Sequence, residues 1–444
     1  MRHTPALPIR SVAALLCLIN LSVWASGCAS SPTVPRPASA ASGTFAFWPS
    51  FPDDPRIQFV RSIASSEDLA PPKENALEKI IFGKHVGDSE FISKPYGAAM
   101  RDGKLYVCDL RGACLTVLDL QKKQTRLVGV SGSMPLKRPV AVAAADDGEL
   151  YVADSERGTI LVYDSQERYS RAIGHPKLKP AGLAVYQDRL YVTDMASQLV
   201  DVYDRRTGNQ TGTIGSVGDE DGQFRLPLGI AVDTKGDVYV ADMMRCRVQK
   251  FSPDGKFISG FGSLGDFAGA FVRPKHIAVD SDGIVYVVDA AFQNVQMFDD
   301  KYHLLMHFGS AGDFPGSMNL PAGICVTDDS LDLMQGLIHP GFKAKRLVIV
   351  TNQFSNSKVS LYAMGGLREG HSAKELAASA LKVPSGMGEG AKNLLQAPVP
   401  GSEEGPSKSA DPSAAPGATG TASPSPNPPP TPTPSVAPMP SKPQ

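Results

Sequence analysis

The sequence has almost no net charge. Its 444 residues include 44 Lys and Arg against 45 Asp and Glu, which gives a formal charge of −1 at pH 7. A chain that binds nucleic acid through its overall charge is usually strongly basic, and nothing in this balance points to such a function. We therefore expect no nucleic-acid partner.

Cysteine is also scarce, with six residues in the chain. There is no CxxC pair and no haem-attachment motif, so the sequence predicts no cofactor and no metal site. A disulfide between Cys108 and Cys114 is conceivable in an oxidising compartment. The alternative is that both are structural, because Cys108 occupies a position where other copies of the repeat below have small residues and Cys114 lies near a turn.

Long apolar runs are missing except at the N terminus. Residues 11–25 are apolar, follow a short basic start and are too few for a comfortable membrane span, which is typical of a secretory signal over residues 1–27. Ala25-Ser26-Gly27-Cys28 resembles the lipobox of bacterial lipoproteins. That resemblance implies cleavage before Cys28 and acylation of this residue; the alternative is an ordinary signal peptide with a chance cysteine. The residue after Cys28 is Ala29 and not the Asp that favours inner-membrane retention in the lipoprotein family, so the resemblance implies an outer-membrane anchor if the host has two membranes.

The segments next to the signal and at the C terminus lack apolar periodicity. Residues 28–43 are rich in Ser, Ala, Thr and Pro and are predicted to form a flexible tether. Residues 366–444 are dominated by Pro, Ser, Gly and Ala, which predicts a disordered tail with polyproline character. Helical spacing predicts two short helices, at 74–82 and within 371–383.

One pattern recurs six times between these segments. A proline opens a strand, a turn follows, a second strand ends in Asp, and two further strands complete the unit. The opening prolines are Pro95, Pro139, Pro180, Pro227, Pro274 and Pro321, and the closing aspartates are Asp109, Asp154, Asp194, Asp242 and Asp289. A period of about 40 to 50 residues with four strands is typical of a propeller blade.

The sixth unit has only three strands, and a spare strand precedes the first unit at residues 56–64. We infer that this N-terminal strand completes the last blade, which would remove an exposed sheet edge. The fold class is therefore all-β: a six-bladed β-propeller of four-stranded blades, spanning residues 44–365 and closed by the N-terminal strand.

The repeat unit resembles a known family. PLGIAVDTKGDVYVADMMRCRVQKFS at 227–252 resembles the NHL repeat, and the chain as a whole looks like the six-bladed NHL-type lipoproteins of bacteria. The resemblance implies a propeller that usually binds proteins or other macromolecules, while a minority of relatives are lyases or lactonases with a metal ion in the central channel. The sixth unit departs from the pattern, because Asn352 replaces its aspartate and its loop is long.

Few residues of the repeats are suited to catalysis. The aspartates that end the second strands occur in five units, so we interpret them as scaffold that accepts backbone N–H bonds. His276 is the single polar residue at an inner-strand position where the other units have Gly or Ala, and it is predicted to pack or to line the channel. A lone histidine is a poor metal site. The GxGxxG at 260–265 ends a strand with no helix behind it, so it is not a dinucleotide loop.

The best functional signal is a surface. The loops before the first strand and after the second strand of each blade should emerge on one face around the channel, here called the channel-mouth face. The second set of loops carries Arg111, Arg157, Met195, Met243, Met244, Arg245, Phe292 and Phe354, and the first set carries Lys94, Arg138, Lys179 and Arg273. Aromatic, Met and Arg side chains favour interface centres, and the basic residues could steer an acidic partner. The alternative is that the arginines brace neighbouring turns.

These features predict a monomeric, lipid-anchored propeller that acts as a non-enzymatic protein-binding scaffold in the cell envelope, facing the periplasm or the cell surface. Two alternatives remain: a metal-dependent lyase or lactonase in the channel, and an envelope polysaccharide binder, which would need aromatic platforms beyond Phe292 and Phe354. The insertion between Val326 and Leu347 should leave by the face opposite the channel mouth.

Overall fold

The computed structural model describes residues 45–69 and 91–381, which all belong to one compact unit, Met1–Gln396. The predicted signal at 1–27, the lipidation site Cys28, the tether at 28–43 and the helix at 74–82 lie outside the described residues, as does the tail from 382 onward. No helix within the described ranges is long and apolar enough to cross a membrane.

The described chain forms six antiparallel sheets arranged as blades; the strand order is sequential from the axis outward in five of them, and in the sixth the outer strands come from the N-terminal segment. A closing segment comes first, with β1 (Phe47–Trp48) and β2 (Ile57–Ile63). Blade 1 consists of β3 (Pro95–Arg101), β4 (Lys104–Asp109), β5 (Cys114–Asp119) and β6 (Gln124–Val128). Blade 2 consists of β7 (Pro139–Ala144), β8 (Leu150–Asp154), β9 (Thr159–Tyr163) and β10 (Tyr169–Ile173).

Blade 3 consists of β11 (Pro180–Tyr186), β12 (Arg189–Asp194), β13 (Leu199–Asp204) and β14 (Gln210–Ile214). A loop with two short strands follows, β15 (Ser216–Val217) and β16 (Gln223–Phe224). Blade 4 consists of β17 (Pro227–Val232), β18 (Val238–Asp242), β19 (Arg247–Phe251) and β20 (Phe257–Phe261). Blade 5 consists of β21 (Pro274–Val279), β22 (Val285–Asp289), β23 (Asn294–Phe298) and β24 (Leu304–Phe308). Blade 6 takes β25 (Pro321–Thr327), β26 (Phe342–Asn352) and β27 (Val359–Leu367) from the C-terminal part of the propeller.

The core lies between the blades. Three of the second strands, β8, β18 and β22, are buried at every position, because each of their faces packs against a neighbouring blade. Residues on alternate faces of an inner strand join different clusters: Ala99 packs with blade 2, whereas Ala98 and Met100 pack with blade 6. The six-bladed prediction is confirmed, and its physical basis is this continuous packing around the ring.

Glycine allows the inner strands to come close together. A Cβ at Gly182 would lie 2.2 Å from the carbonyl oxygen of Leu228 in blade 4, and a Cβ at Gly323 would lie 2.2 Å from that of Tyr96 in blade 1. In both blades a threonine on the second strand bridges this contact. The Thr193 hydroxyl donates to the Leu228 carbonyl at 2.7 Å, and the Thr351 hydroxyl donates to the Tyr96 carbonyl. The glycines are therefore required by the approach of the next blade.

The predicted closure is confirmed. β2 pairs antiparallel with β27, with Ile57 opposite Met364 and Ile63 opposite Val359. β1 adds a fifth strand to this sheet, which the sequence did not predict because two residues are too short for a periodic signal. Trp48 is buried against the rings of Phe308 and Tyr362, so the N-terminal segment also covers the junction between blades 5 and 6.

The insertion in blade 6 joins the end of β25 to the start of β26, on the face opposite the channel mouth, as predicted. It contains a 3-10 helix, Leu331–Leu337, and its His339 ring packs edge-on against Phe45 and Phe47.

The ordered chain extends past the predicted boundary at 365, because residue 45 hydrogen-bonds to residues 379 and 381 and α1 (Ala373–Ala377) buries Leu376. The only other helix in the described ranges is a 3-10 turn, Ser66–Asp68.

Candidate functional site at the channel mouth

The aspartates that end the second strands hold the channel-mouth loops together. Both carboxylate oxygens of Asp109 accept backbone N–H bonds, from Ser93 and Lys94 before β3 and from Arg111 and Gly112 after β4, at 2.6 to 3.0 Å. Asp289 makes the equivalent bonds in blade 5. The scaffold interpretation is confirmed, because the carboxylates of Asp109 and Asp289 each hold two loops together, and Asp242 accepts from Arg225 and Leu226 of the loop before β17.

We expect Asp109→Ala to lower the free energy of unfolding by about 2 kcal/mol, because it leaves four partly buried N–H groups without this acceptor. It should also loosen the loops that carry Lys94 and Arg111. Urea unfolding followed by circular dichroism measures the effect. Asp300→Ala, at an exposed turn position, is the matched control and should change stability by less than about 0.5 kcal/mol. Equal effects of the two substitutions would contradict the scaffold role.

Lys275 and Tyr96 meet across the channel. The Lys275 ammonium lies 5.8 Å from the centre of the Tyr96 ring, although β21 belongs to blade 5 and β3 to blade 1. Both residues directly follow the opening proline, and blade 6 has the small, buried Ala322 at this position. The contact therefore spans the channel in front of blade 6. Sequence reasoning missed Lys275, although it is the only charged residue at this position in the six blades.

The electrostatic environment of Lys275 is unfavourable for its charge. Burial lowers the pKa of Lys275 to about 8, and the positive charges of Arg273 and Lys94 lower it further, while Asp289 partly opposes them. Burial also raises the pKa of the Tyr96 hydroxyl, against the influence of Arg138. The channel mouth thus concentrates positive charge where water is partly excluded.

The cations in the loops before the first strands are not neutralised. Within the described part of the chain, Lys94, Arg138, Lys179 and Arg273 have no side-chain ion pair, and neither has Lys275. The Lys94 ammonium instead lies 5.7 Å from the centre of the Phe354 ring. These five residues are called the cationic cluster below. None of the five forms a side-chain ion pair with a described carboxylate, although buried loop aspartates such as Asp289 lie nearby and partly offset their charge.

The arginines in the loops after the second strands behave differently from one another. Arg157 donates to the Pro135 carbonyl at 2.9 Å and lies 3.6 Å from Asp154, so it braces neighbouring turns. Arg245 pairs with Asp219 at 3.4 Å. Arg111 is exposed and makes no side-chain ion pair with any described residue. The alternative that the arginines brace neighbouring turns therefore applies to Arg157 and Arg245. Arg111 remains available to contact a partner.

The apolar residues predicted for this face also divide. Met244 and Phe354 are 62% and 59% exposed, and Met195 and Met243 are half-buried. Phe292 is only 2% exposed, so its prediction as a surface residue is wrong. Asp289 closes its turn so that Ala290 and Ala291 are buried as well, and burial of the large aromatic ring is favourable. Phe354 is then the one exposed aromatic ring of the predicted set, which weakens the polysaccharide alternative.

His276 faces a neighbouring blade. It shares a strand face with Ala278, which packs with Ile324 of blade 6. The side chain is half-buried and its Nδ1 atom is buried without a hydrogen-bond partner. Burial lowers the pKa of His276 to about 4, so the ring is neutral at pH 7. These properties suit a side chain wedged between the inner ends of blades 5 and 6.

The residues of the channel do not fit a divalent metal ion. The six inner strands contain no Asp or Glu, and His276 and Cys325 are their only residues of a metal-ligating type. Carboxylate or several imidazole ligands are what Zn²⁺, Ca²⁺ or Mg²⁺ would require. No step of a channel reaction can therefore be assigned to a metal held by these strands.

One group of potential ligands occurs elsewhere in the described residues. His175 Nε2 lies 3.2 Å from an Asp201 oxygen and 3.8 Å from an Asp194 oxygen, in blade 3 and the loop before it. In blades 4 and 5 the third-strand position of Asp201 is occupied by Gln249 and Gln296, whose amides bind the backbone of the corresponding loop. The His175–Asp201 contact is thus a local version of this loop anchor.

The two cysteines of blade 1, Cys108 and Cys114, are not bridged to each other. Cys108 pairs in register with Leu115, whereas Cys114 pairs with Asp109. Because neighbouring residues of a strand point to opposite sides of the sheet, the two thiols lie on opposite faces. Neither Cys108 nor Cys114 is in a disulfide, and the same holds for Cys246 and Cys325.

Comparison with known proteins gives a partial family match. The family model described as "SMP-30/Gluconolactonase/LRE-like region" matches residues 92–261, from the start of blade 1 to the end of blade 4. The chain is thus a six-bladed propeller in which four blades are similar to this family.

Solved propeller structures are also similar to this chain at low identity. A streptogramin B lyase shares 12% identity with a TM-score of 0.44, covering 62% of this chain and 94% of the other. A virginiamycin B lyase from Staphylococcus aureus shares 12% identity with a TM-score of 0.42, covering 61% and 85%. A protein of unknown function from Bacteroides thetaiotaomicron shares 17% identity with a TM-score of 0.46, covering 61% and 70%. Likeness at this level does not extend to function.

Proposed function

We propose that the propeller is a binding module that captures an acidic group of a protein partner on its channel-mouth face. The observation that carries this proposal is the cationic cluster: five basic side chains around one opening, none paired with a carboxylate of the described chain. Lys275 is held in a partly buried position where its charge is costly without an anion. An acidic ligand would remove this cost.

The surroundings of the cluster fit a protein partner. Met244 and Phe354 are large apolar side chains exposed on the same face, and such residues commonly supply the energetic centre of an interface. Clustered positive charge steers an acidic partner toward the opening and increases the association rate.

We further propose, from the sequence, that acylation of Cys28 places this face in the cell envelope.

The binding proposal is tested with a fluorescein-labelled hexaglutamate peptide, using a hexaglutamine peptide as the neutral comparison. We expect saturable anisotropy for hexaglutamate only, and at least about a tenfold loss of affinity in the Arg273→Met, Lys275→Met double variant. Lys235→Met, in an exposed hairpin on the opposite face, is the matched control and should bind like the wild type. Unchanged binding by the double variant would overturn the proposal.

The pH dependence of this binding is a separate prediction. Because the pKa of Lys275 is lowered to about 8, its ammonium is mostly charged at pH 7 and loses its charge as pH rises through about 8. We therefore expect hexaglutamate affinity to fall between about pH 7.5 and 9.5 in the wild type but not in Lys275→Met. A pH profile shared by both proteins would exclude Lys275 as the titrating group.

Lactone hydrolysis or a lyase reaction in the channel is a second candidate, favoured by the match of residues 92–261 to the family model. Since the inner strands offer no carboxylate ligands, such a reaction would depend on Lys275, Tyr96 and the neutral His276. A panel of aliphatic and aromatic lactones tests it. Turnover that survives chelation and disappears in Lys275→Met would support the enzyme, and no turnover in the wild type would leave the binding proposal as the better account.

The anchor is tested independently of the propeller. Metabolic labelling with an alkyne-tagged palmitate should mark the wild-type protein, and Cys28→Ser should abolish the label and release the protein from the membrane fraction. Retention of the label in Cys28→Ser would show that Cys28 is not the lipid site.

A further inference from the structure

A pocket of about 500 Å³ lies on the face opposite the channel mouth, between the outer part of blade 5 and blade 6. Its blade 5 wall comes from β23 and β24, and its blade 6 wall from the first residues of β26 and the last residues of β27. Blade 6 forms this wall because its second and third strands are unusually long, and their extra residues pair as Phe342 with Leu367 and Ala344 with Gly365. The pocket is a product of this extension.

The interior of the pocket is apolar and adaptable. Met297, Met306 and Met364 line it together with Ile284, Leu305 and Leu367, and Leu305 is 51% exposed. Methionine side chains are flexible and polarisable, so they adjust to ligands of varied shape. Among the lining residues there is no aromatic ring and no uncharged polar side chain. A sugar or a nucleoside would find neither stacking platforms nor hydroxyl and amide partners here.

The rim of the pocket is positively charged. Arg56, Lys343 and Lys345 line it, all three are exposed, and none forms a side-chain ion pair with a described residue. The single acidic residue of the lining, Asp282, is already bound to the buried Arg346 guanidinium at 2.8 Å. Three cations around an aliphatic interior select a ligand with an anionic head and an aliphatic tail.

We infer that this pocket binds a free long-chain fatty acid, with its carboxylate at Lys343, Lys345 and Arg56 and its alkyl chain against the three methionines. The volume lies within the range of pockets that enclose small-molecule ligands. A charge-assisted bond to each cation holds the head group, and each buried methylene adds to the affinity. The site lies on the opposite face from the cationic cluster, so it stands independently of the proposed function.

Isothermal titration of the purified protein with octanoate, decanoate, dodecanoate and tetradecanoate, below their micelle concentrations, tests this inference. We expect one site per chain and up to about a fourfold gain in affinity for each added methylene until the pocket is filled. Dodecan-1-ol should bind at least about tenfold more weakly than dodecanoate. Absence of chain-length dependence, or equal binding of the alcohol and the acid, would overturn the inference.

Two variants locate the site. Lys343→Glu, Lys345→Glu reverses the rim charge at exposed positions and should reduce dodecanoate affinity at least about tenfold with little effect on dodecan-1-ol. Met306→Glu places a charge in the apolar interior and should abolish binding of both. Lys301→Glu, in an exposed turn outside the pocket lining, is the control. Wild-type affinity of Met306→Glu for dodecanoate would contradict the proposed site. Binding of an acidic peptide by a protein that binds no fatty acid would contradict the proposed occupant.

Discussion

A chain that begins at residue 65 should fail to form the native propeller. It lacks β1 and β2, which bury Trp48, Ile57, Phe59, Val60 and Ile63 in blade 6. A large apolar side chain contributes about 1.5–3 kcal/mol when fully buried, so the combined loss matches or exceeds the usual stability of a domain. The loss also leaves β27 as an unpaired edge, which favours association between chains.

Size-exclusion chromatography and thermal unfolding compare this truncation with a chain that begins at residue 45. The longer chain keeps the whole closing segment and should be monomeric with a cooperative transition. The shorter chain should aggregate or lack a transition, and a synthetic peptide of residues 45–64 added during refolding should restore some monomer. A monomeric, cooperatively unfolding chain from residue 65 would contradict closure by the N-terminal strand.

Gly323→Ala should destabilise the protein by about 3 kcal/mol, at the upper end of the usual cost of overpacking. The added Cβ would lie 2.2 Å from the Tyr96 carbonyl oxygen and 3.1 Å from the Thr351 hydroxyl. The first of these atoms belongs to the backbone of blade 1, so it cannot move aside without moving the inner strand. Because the strain falls between blades 6 and 1, it acts on the junction where the ring closes.

Gly212→Ala in β14 is the matched control for Gly323→Ala. A Cβ at Gly212 would have no atom within 4 Å, and neither glycine has a positive φ angle. We expect Gly212→Ala to leave the urea midpoint unchanged or slightly higher, since alanine restricts the unfolded chain more than glycine. Similar losses in the two variants would show that the cost reflects glycine in a strand rather than contact between blades.

The repeat made the channel-mouth scaffold predictable, whereas the chemistry of the face was predicted less well. Asp109 and its equivalents recur at a fixed place after the second strand, so their role followed from position alone. In the strand of Lys275 only His276 was predicted to have a functional position. The contact of Lys275 with Tyr96 depends on two blades that are separated by a third. Phe292 is of a residue type that is common in interfaces, but its turn folds inward and the side chain is buried.

Contacts between distant segments explain the other differences. His175 and Asp201 are 26 residues apart and touch only because the loop before blade 3 returns over its third strand. The pocket lined by Met297, Met306 and Met364 combines two blades with strand ends that extend beyond the repeat. Neither feature has a local pattern, since each residue is unremarkable within its own strand.

The sequence by itself determined the number of blades, the order of strands within each blade, and the segment that closes the ring. These follow from local regularities, namely the alternation of apolar residues, the turns and the fixed spacing of proline and aspartate, which the chain repeats. Only the tertiary structure decided which cations lack partners, which apolar side chains are exposed, and where strands of different blades leave a pocket. Those properties depend on distances between residues far apart in the chain, which local periodicity does not encode.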